Sequence, residues 1–167
     1  MSSHTNTAIK DLVCGMEVNS DDISMDYQGS HYAFCSEQCL QRFQSNPHLY
    51  IGFPGNEAPR KVGSEIIKTR VIKLAEPLPQ ELADKVTDYI EAMMGIQYME
   101  IHEDCIEITY DLLQVTESQI EDAIAEAGAA LGDDWTDKIK RAFVHYMEDT
   151  EAVSLEARPG SMRGRHH

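Results

Sequence analysis

The sequence predicts an α+β chain made of two small modules, and three observations predict it. Cys14, Cys35 and Cys39 fall within the first 39 residues, while the rest of the chain carries only Cys105. A stretch with three glycines and two prolines, Gly52–Glu65, lies between the halves and reads as a seam. Beyond it, the hydrophobic periodicity runs strand, helix, strand, strand, helix, with one further helix after that. The expected boundaries are 8–52 for a cysteine-bearing module, 53–65 for a linker, 66–150 for the β-α-β-β-α module and 151–167 for a tail.

In the first module, Asp22–Phe34 carries Tyr27-Gln28-Gly29 between β-compatible residues and reads as a small hairpin. Ser36 is the expected N-cap of a short helix whose buried stripe is Leu40 and Phe43, stopped near Asn46 by Pro47. The second module opens with a strand over Ile66–Leu74. Leu82, Val86, Tyr89, Ile90 and Met93 then recur at helical spacing within Pro77–Met94, with Gly95 as the C′ stop. Ile96–Glu103 is a strand, His102–Asp104 a tight turn, and Ile106, Ile108 and Tyr110 alternate with polar residues as the inner face of the next strand. Thr116 and Gln119 form a capping box ahead of a helix carrying Ile120, Ala123, Ile124 and Ala127, ended by Gly128. This order is the ferredoxin-like βαββα(β) pattern without its last strand. An extra C-terminal helix, Trp135–Glu148, lines up Trp135, Ile139, Phe143 and Tyr146, a face expected to pack on the sheet.

Composition bounds the function. At roughly 150 residues per domain, 167 residues make one domain or two small ones. With 42% hydrophobic and 26% charged residues the chain is globular rather than disordered throughout. A net charge of 14 − 29 = −15 repels phosphate backbones, so nucleic acid is a poor partner, and cations or basic partners are favoured. No apolar run approaches the ~20 residues of a membrane helix. The polar start Met1–Lys10 does not read as a signal peptide, so a soluble, cytoplasmic protein is expected. Pro159–His167 resembles an affinity-tag remnant, and His166 and His167 are set aside.

In a reducing compartment the cysteines are thiols or metal ligands. Cys14, Cys35 and Cys39 form a C-x20-C-x3-C pattern. Cys35 precedes the helix cap and Cys39 lies on the first turn, so the positive end of the helix dipole is expected to favour both thiolates. The hairpin between Cys14 and Cys35 can bring the third sulfur alongside. Three convergent thiolates suit zinc, Cu(I) or an iron–sulfur centre, the last ranking lowest. The alternative is three buried cysteines that only pack.

Asp11-Leu12-Val13-Cys14-Gly15-Met16, Tyr27-x-Gly29, Tyr32-x-Phe34-Cys35-Ser36-x-x-Cys39, Phe43 and Asn46-Pro47-x-x-Tyr50 together resemble a YHS domain of the TRASH metal-binding group. Leu12 departs from the proline usual there, which affects chain entry more than chemistry. The resemblance covers about residues 8–52 and implies metal binding, with copper or zinc as the ion. Candidate fourth ligands are His31, four residues before Cys35, His48, just past the helix stop, and Met16, whose thioether would favour Cu(I) but which is expected to pack in the core.

The βαββα order, with Gly95–Ile101 and Gln119–Gly128, is similar to a heavy-metal-associated (HMA) domain over about residues 66–130. Such domains hold metal through a C-x-x-C loop after the first strand. Here that loop is Ala75-Glu76-Pro77-Leu78-Pro79-Gln80, so the resemblance implies the fold and no metal site. Met93 is expected in the core rather than in a thioether pair with Met94. Cys105 is expected on the polar face or in the turn, as a surface thiol or as a ligand across a boundary. Glu100, Glu103, Asp104 and Glu107 read as a solvated acidic face.

The expected function is a heavy-metal-binding protein, for copper or zinc, in metal trafficking, sensing or homeostasis. Its second module would dock on a metal-transporting ATPase or metallochaperone, or mediate homo-oligomerisation. Alternatives are a structural-zinc adaptor and an accessory subunit of an oxygenase. No nucleophile–base pair, nucleotide loop or carboxylate pair with a clear role is evident, so no enzyme activity is expected.

Overall fold

The computed structural model describes residues 8–19 and 23–157. The chain divides into two compact units, one of the described residues up to Ser64 with 156–157, the other Glu65–Leu155. Asp22, expected to open the hairpin, and the tag-like residues 159–167 lie outside the described residues.

The first unit begins with β1 (Ala8–Lys10) paired antiparallel to β2 (Glu17–Asn19). The loop between them carries Cys14. Sequence reading did not find this pair, because a three-residue strand is too short to show a period. The expected hairpin forms from β3 (Ile23–Tyr27) and β4 (Ser30–Phe34). Its two-residue turn places Gln28 at φ 49° and Gly29 at φ 82°, and glycine carries the second left-handed position without a Cβ penalty.

Ser36 caps α1 (Glu37–Ser45), accepting from the Cys39 backbone N–H, and α2 (His48–Ile51) follows. The buried face of α1 is Cys39, Arg42 and Phe43, and Leu40, expected there, is only half-buried. The Phe43 ring meets Tyr27 edge-on at 5.9 Å and tilts against Tyr32, Phe34 and Tyr50 at 5.1, 5.3 and 6.0 Å. This aromatic cluster supplies much of the unit's apolar core.

The segment expected to be a linker is part of this unit. Phe53 and Asn56 close a turn, Ala58 is fully buried, and the Arg60 backbone N–H donates to Leu49 O at 3.0 Å. Glycine and proline mark tight turns as well as linkers, and here they shape turns that fold back.

In the second unit, β5 (Ile67–Lys73), β6 (Ile96–His102) and β7 (Cys105–Asp111) form an antiparallel sheet of order β5-β7-β6. Helix α3 (Gln80–Glu91) connects the two outer strands, and α4 (Glu117–Ala127) follows β7. Ile72, Ile106, Ile108 and Tyr110 from the sheet pack with Val86, Ile90, Ile120 and Ile124 from these helices, and Met93 lies against that core. The Thr116–Gln119 capping box forms as expected, and Gly128 ends α4.

Two expectations change. Helix α3 ends four residues before Gly95, with Ala92 as its C-cap. Gly95 instead occupies the turn into β6 at φ 87°, where an added Cβ would lie 2.6 Å from Gln114 Cβ. Close approach, not helix capping, requires glycine there. The final helix, α5 (Trp135–Ala157), runs nine residues beyond Glu148, and its aromatic face is turned to water: Trp135 is 78% exposed, Phe143 62% and Tyr146 66%. Its buried residues are Glu148 and Ala152. Helical spacing places residues on a common face but does not decide which face is covered. No helix among the described residues is long and apolar enough to cross a membrane.

Candidate metal centre

Three segments of the first unit deliver the three cysteines: the β1–β2 loop carries Cys14, the end of β4 leads into Cys35, and the first turn of α1 carries Cys39. Their sulfurs converge, Cys14 Sγ to Cys35 Sγ at 3.5 Å and Cys35 Sγ to Cys39 Sγ at 3.6 Å, with no disulfide. With metal–sulfur bonds of ~2.3 Å, sulfurs around one tetrahedral ion stand about 3.8 Å apart, so the trio is close to a ligating geometry. Cys39 is buried, whereas Cys14 and Cys35 are half-buried.

Asp11 joins this cluster, its carboxylate lying within 4.8 Å of the sulfurs. The side chain is fully buried and already engaged. Oδ1 accepts from the backbone N–H groups of Val13 (2.8 Å) and Cys14 (3.2 Å), and Oδ2 accepts from that of Cys35 (2.8 Å). It therefore ties the Cys14 loop to the Cys35 strand end and acts as a positioning residue. Arg60 adds a second tie, its Nε donating to Val13 O at 2.9 Å. Sequence reading assigned neither role. An Asp three residues before a loop cysteine is a turn signal that points to Asp11, but nothing local points to Arg60.

The thiols do not share their acidity as the helix dipole alone suggests. Cys14 is brought down to about 7, chiefly by the hydrogen bond from Cys39. Burial pushes Cys35 up to about 11. Cys39 is raised well above the ordinary thiol range, first by its hydrogen bond to Cys14, then by burial and the Asp11 charge. At Cys35 and Cys39 the helix terminus is outweighed by burial and by the neighbouring sulfur and, for Cys39, the Asp11 charge.

Of the candidate fourth ligands, His31 and His48 lie outside the converging group. His31 Nδ1 pairs with Asp26 at 2.7 Å on the exposed hairpin. His48 stacks on Phe53, with Nδ1 against Gly52 O and Nε2 near Tyr27 Oη. The Met16 side chain is 48% exposed and not in the core, while its backbone carbonyl accepts from Asp11 N–H. Cys105 belongs to the second unit, half-buried, and its thiol is raised by burial and by the adjacent Asp104 carboxylate.

Comparison with curated proteins and with solved structures finds no match. The YHS domain family matches residues 9–52, the stretch that holds the whole sulfur cluster, and the family and the cluster together point to metal binding there.

Proposed function

We propose that the protein binds a heavy-metal ion, copper(I) or zinc, through the thiolates of Cys14, Cys35 and Cys39. It serves in metal trafficking, sensing or homeostasis as a binding protein rather than an enzyme. The convergence of three sulfurs from three segments carries this reading. Because the Asp11 carboxylate is taken up by backbone donors, the group's available donors are sulfur alone, a soft set that suits Cu(I) at low coordination number. The half-buried Cys14 and Cys35 let an incoming thiol reach the ion, as transfer requires.

Structural zinc is the second reading, favoured by the way one ion would staple the Cys14 loop, the hairpin and α1 in a unit with a small core. The second unit is read as a ferredoxin-like module of the HMA kind without its cysteines, a reading supported by its antiparallel β5-β7-β6 order with α3 as crossover.

Elemental analysis of untagged protein, followed by Cu(I) and zinc competition titrations, tests the proposal. About one equivalent is expected, abolished by replacing all three cysteines with serine. Full metal retention in that variant overturns the site. Rapid loss of the ion to a chelator supports trafficking, and retention of zinc against it supports the structural reading.

A further inference from the structure

The second unit carries another convergent group, with different chemistry. Glu117 and Glu121 stand one turn apart on α4, and His145 of α5 faces them. His145 Nε2 lies 2.8 Å from Glu121 Oε2 and 4.0 Å from Glu117 Oε2, and one donor atom from each residue lies within 4.8 Å of the others. Around an octahedral ion with bonds of ~2.1 Å, donors stand about 3 Å apart when adjacent and about 4.2 Å apart when opposite, so both measured spacings suit one ion.

A second observation concerns Glu117 itself. It is 3% exposed, and its Oε2 is buried and accepts no hydrogen bond among the described residues. A buried carboxyl oxygen that accepts no hydrogen bond is costly to ionise, and a cation taking the place of the proton would recover that cost. His145 Nε2 and Glu121 Oε2 are hydrogen-bonded to each other, so an ion at this place replaces the proton between them. Arg141 approaches Glu121 on its other oxygen, Nε to Oε1 at 3.8 Å. Glu148 accepts from the Glu117 backbone N–H at 2.9 Å and from the Tyr110 hydroxyl, adding negative charge while it holds the start of α4. Arg70 acts on Glu117 in the opposite sense, but burial and the neighbouring carboxylates outweigh it and push the Glu117 carboxyl up to about 8. A small cavity of about 60 Å³ adjoins Glu117 alone of the three, and Lys73, Lys140, Arg141 and Asp137 also line it.

We propose that Glu117, Glu121 and His145 form a second metal site, for a divalent first-row cation of the Mn(II), Fe(II) or Zn(II) type. Two carboxylates and one imidazole are hard to borderline donors, unlike the three thiolates of the first unit. The ion completes the coordination of Glu117 Oε2 and draws α4 and α5 together, and water fills its remaining positions.

Mn(II) is the probe of choice because thiolates bind it poorly, so the test does not depend on the cysteine site. The full chain is titrated with Mn(II) alone and the free-ion EPR signal is followed. Saturable uptake of about one equivalent is expected, with affinity falling tenfold or more in both Glu121→Gln and His145→Gln. His145 is half-exposed, so its variant keeps the test decisive even if a buried-glutamate variant fails to fold. Absence of saturable uptake by the native chain overturns the proposal. So does uptake that both variants leave unchanged, which would place the ion on the general acidic surface.

Discussion

Both units bury an aspartate that stitches a turn to a distant segment, and they differ in what that stitch supports. Asp11 accepts from Val13 and Cys14 two and three residues ahead and from Cys35 across the unit. Asp111 accepts from the Leu113 backbone N–H at 3.0 Å, two residues ahead, and from that of Ile66 at 3.2 Å. Around Asp111 stands an aliphatic core shared by a sheet and two helices. Around Asp11 stand three thiols and an aromatic cluster. The same backbone device thus serves a thiol cluster in one unit and strand registration in the other. A turn motif reports that backbone donors are being gathered, and says nothing of what they are gathered for.

Removing the two aspartates sharpens this comparison most. Asp11→Ala leaves three backbone N–H groups without their acceptor, and at roughly 1 kcal/mol each the first unit should lose about 3 kcal/mol. Metal affinity at the cysteines should fall with it. Asp111→Ala should destabilise the second unit while leaving that affinity unchanged. Thermal unfolding combined with Cu(I) or zinc competition reads both quantities. Equal loss of affinity in the two variants breaks the comparison.

The second unit should also respond to pH in its own way. The Glu117 carboxyl is raised to about 8 in the folded chain, above its ordinary unfolded value. Its contribution is therefore fully present below the unfolded pKa and is lost as pH rises through about 8. In chelator-treated protein, the melting temperature of the second unit should decline between about pH 5 and 8, and Glu117→Gln should flatten that slope. A profile identical in the two proteins would show that the carboxyl ionises without cost.

The smallest effect is expected on the exposed face of α5. Trp135→Ala should shift stability by about 0.5 kcal/mol or less, because the ring is mostly in water. A loss of the several kcal/mol typical of a buried aromatic, measured by denaturant titration, would mean that the face is covered in solution.

Legibility in the sequence followed rarity and locality. Four cysteines in 167 residues make a C-x20-C-x3-C spacing conspicuous, and the Ser36 cap and Thr116–Gln119 box are written within four residues. Glutamate and aspartate together number 29, so a Glu117–Glu121 pair is indistinguishable from a solvated helix face until His145 is seen opposite it. Arg60 is illegible for a similar reason: its partner, the Val13 carbonyl, lies 47 residues away and carries no side-chain signal.

By itself, then, the sequence determined which cysteines share a module, where the hairpin turns, and the strand–helix order of the second unit, all of which depend on residue type and short-range spacing. The tertiary structure alone decided that residues 53–64 fold back, that Met16 and the aromatic face of α5 are exposed, and that Cys14 rather than a helix-end thiol is the most acidic. It also brought Glu117, Glu121 and His145 together. Each of these is set by which surfaces meet and how charges share a buried space, and those quantities exist only once distant segments are in contact.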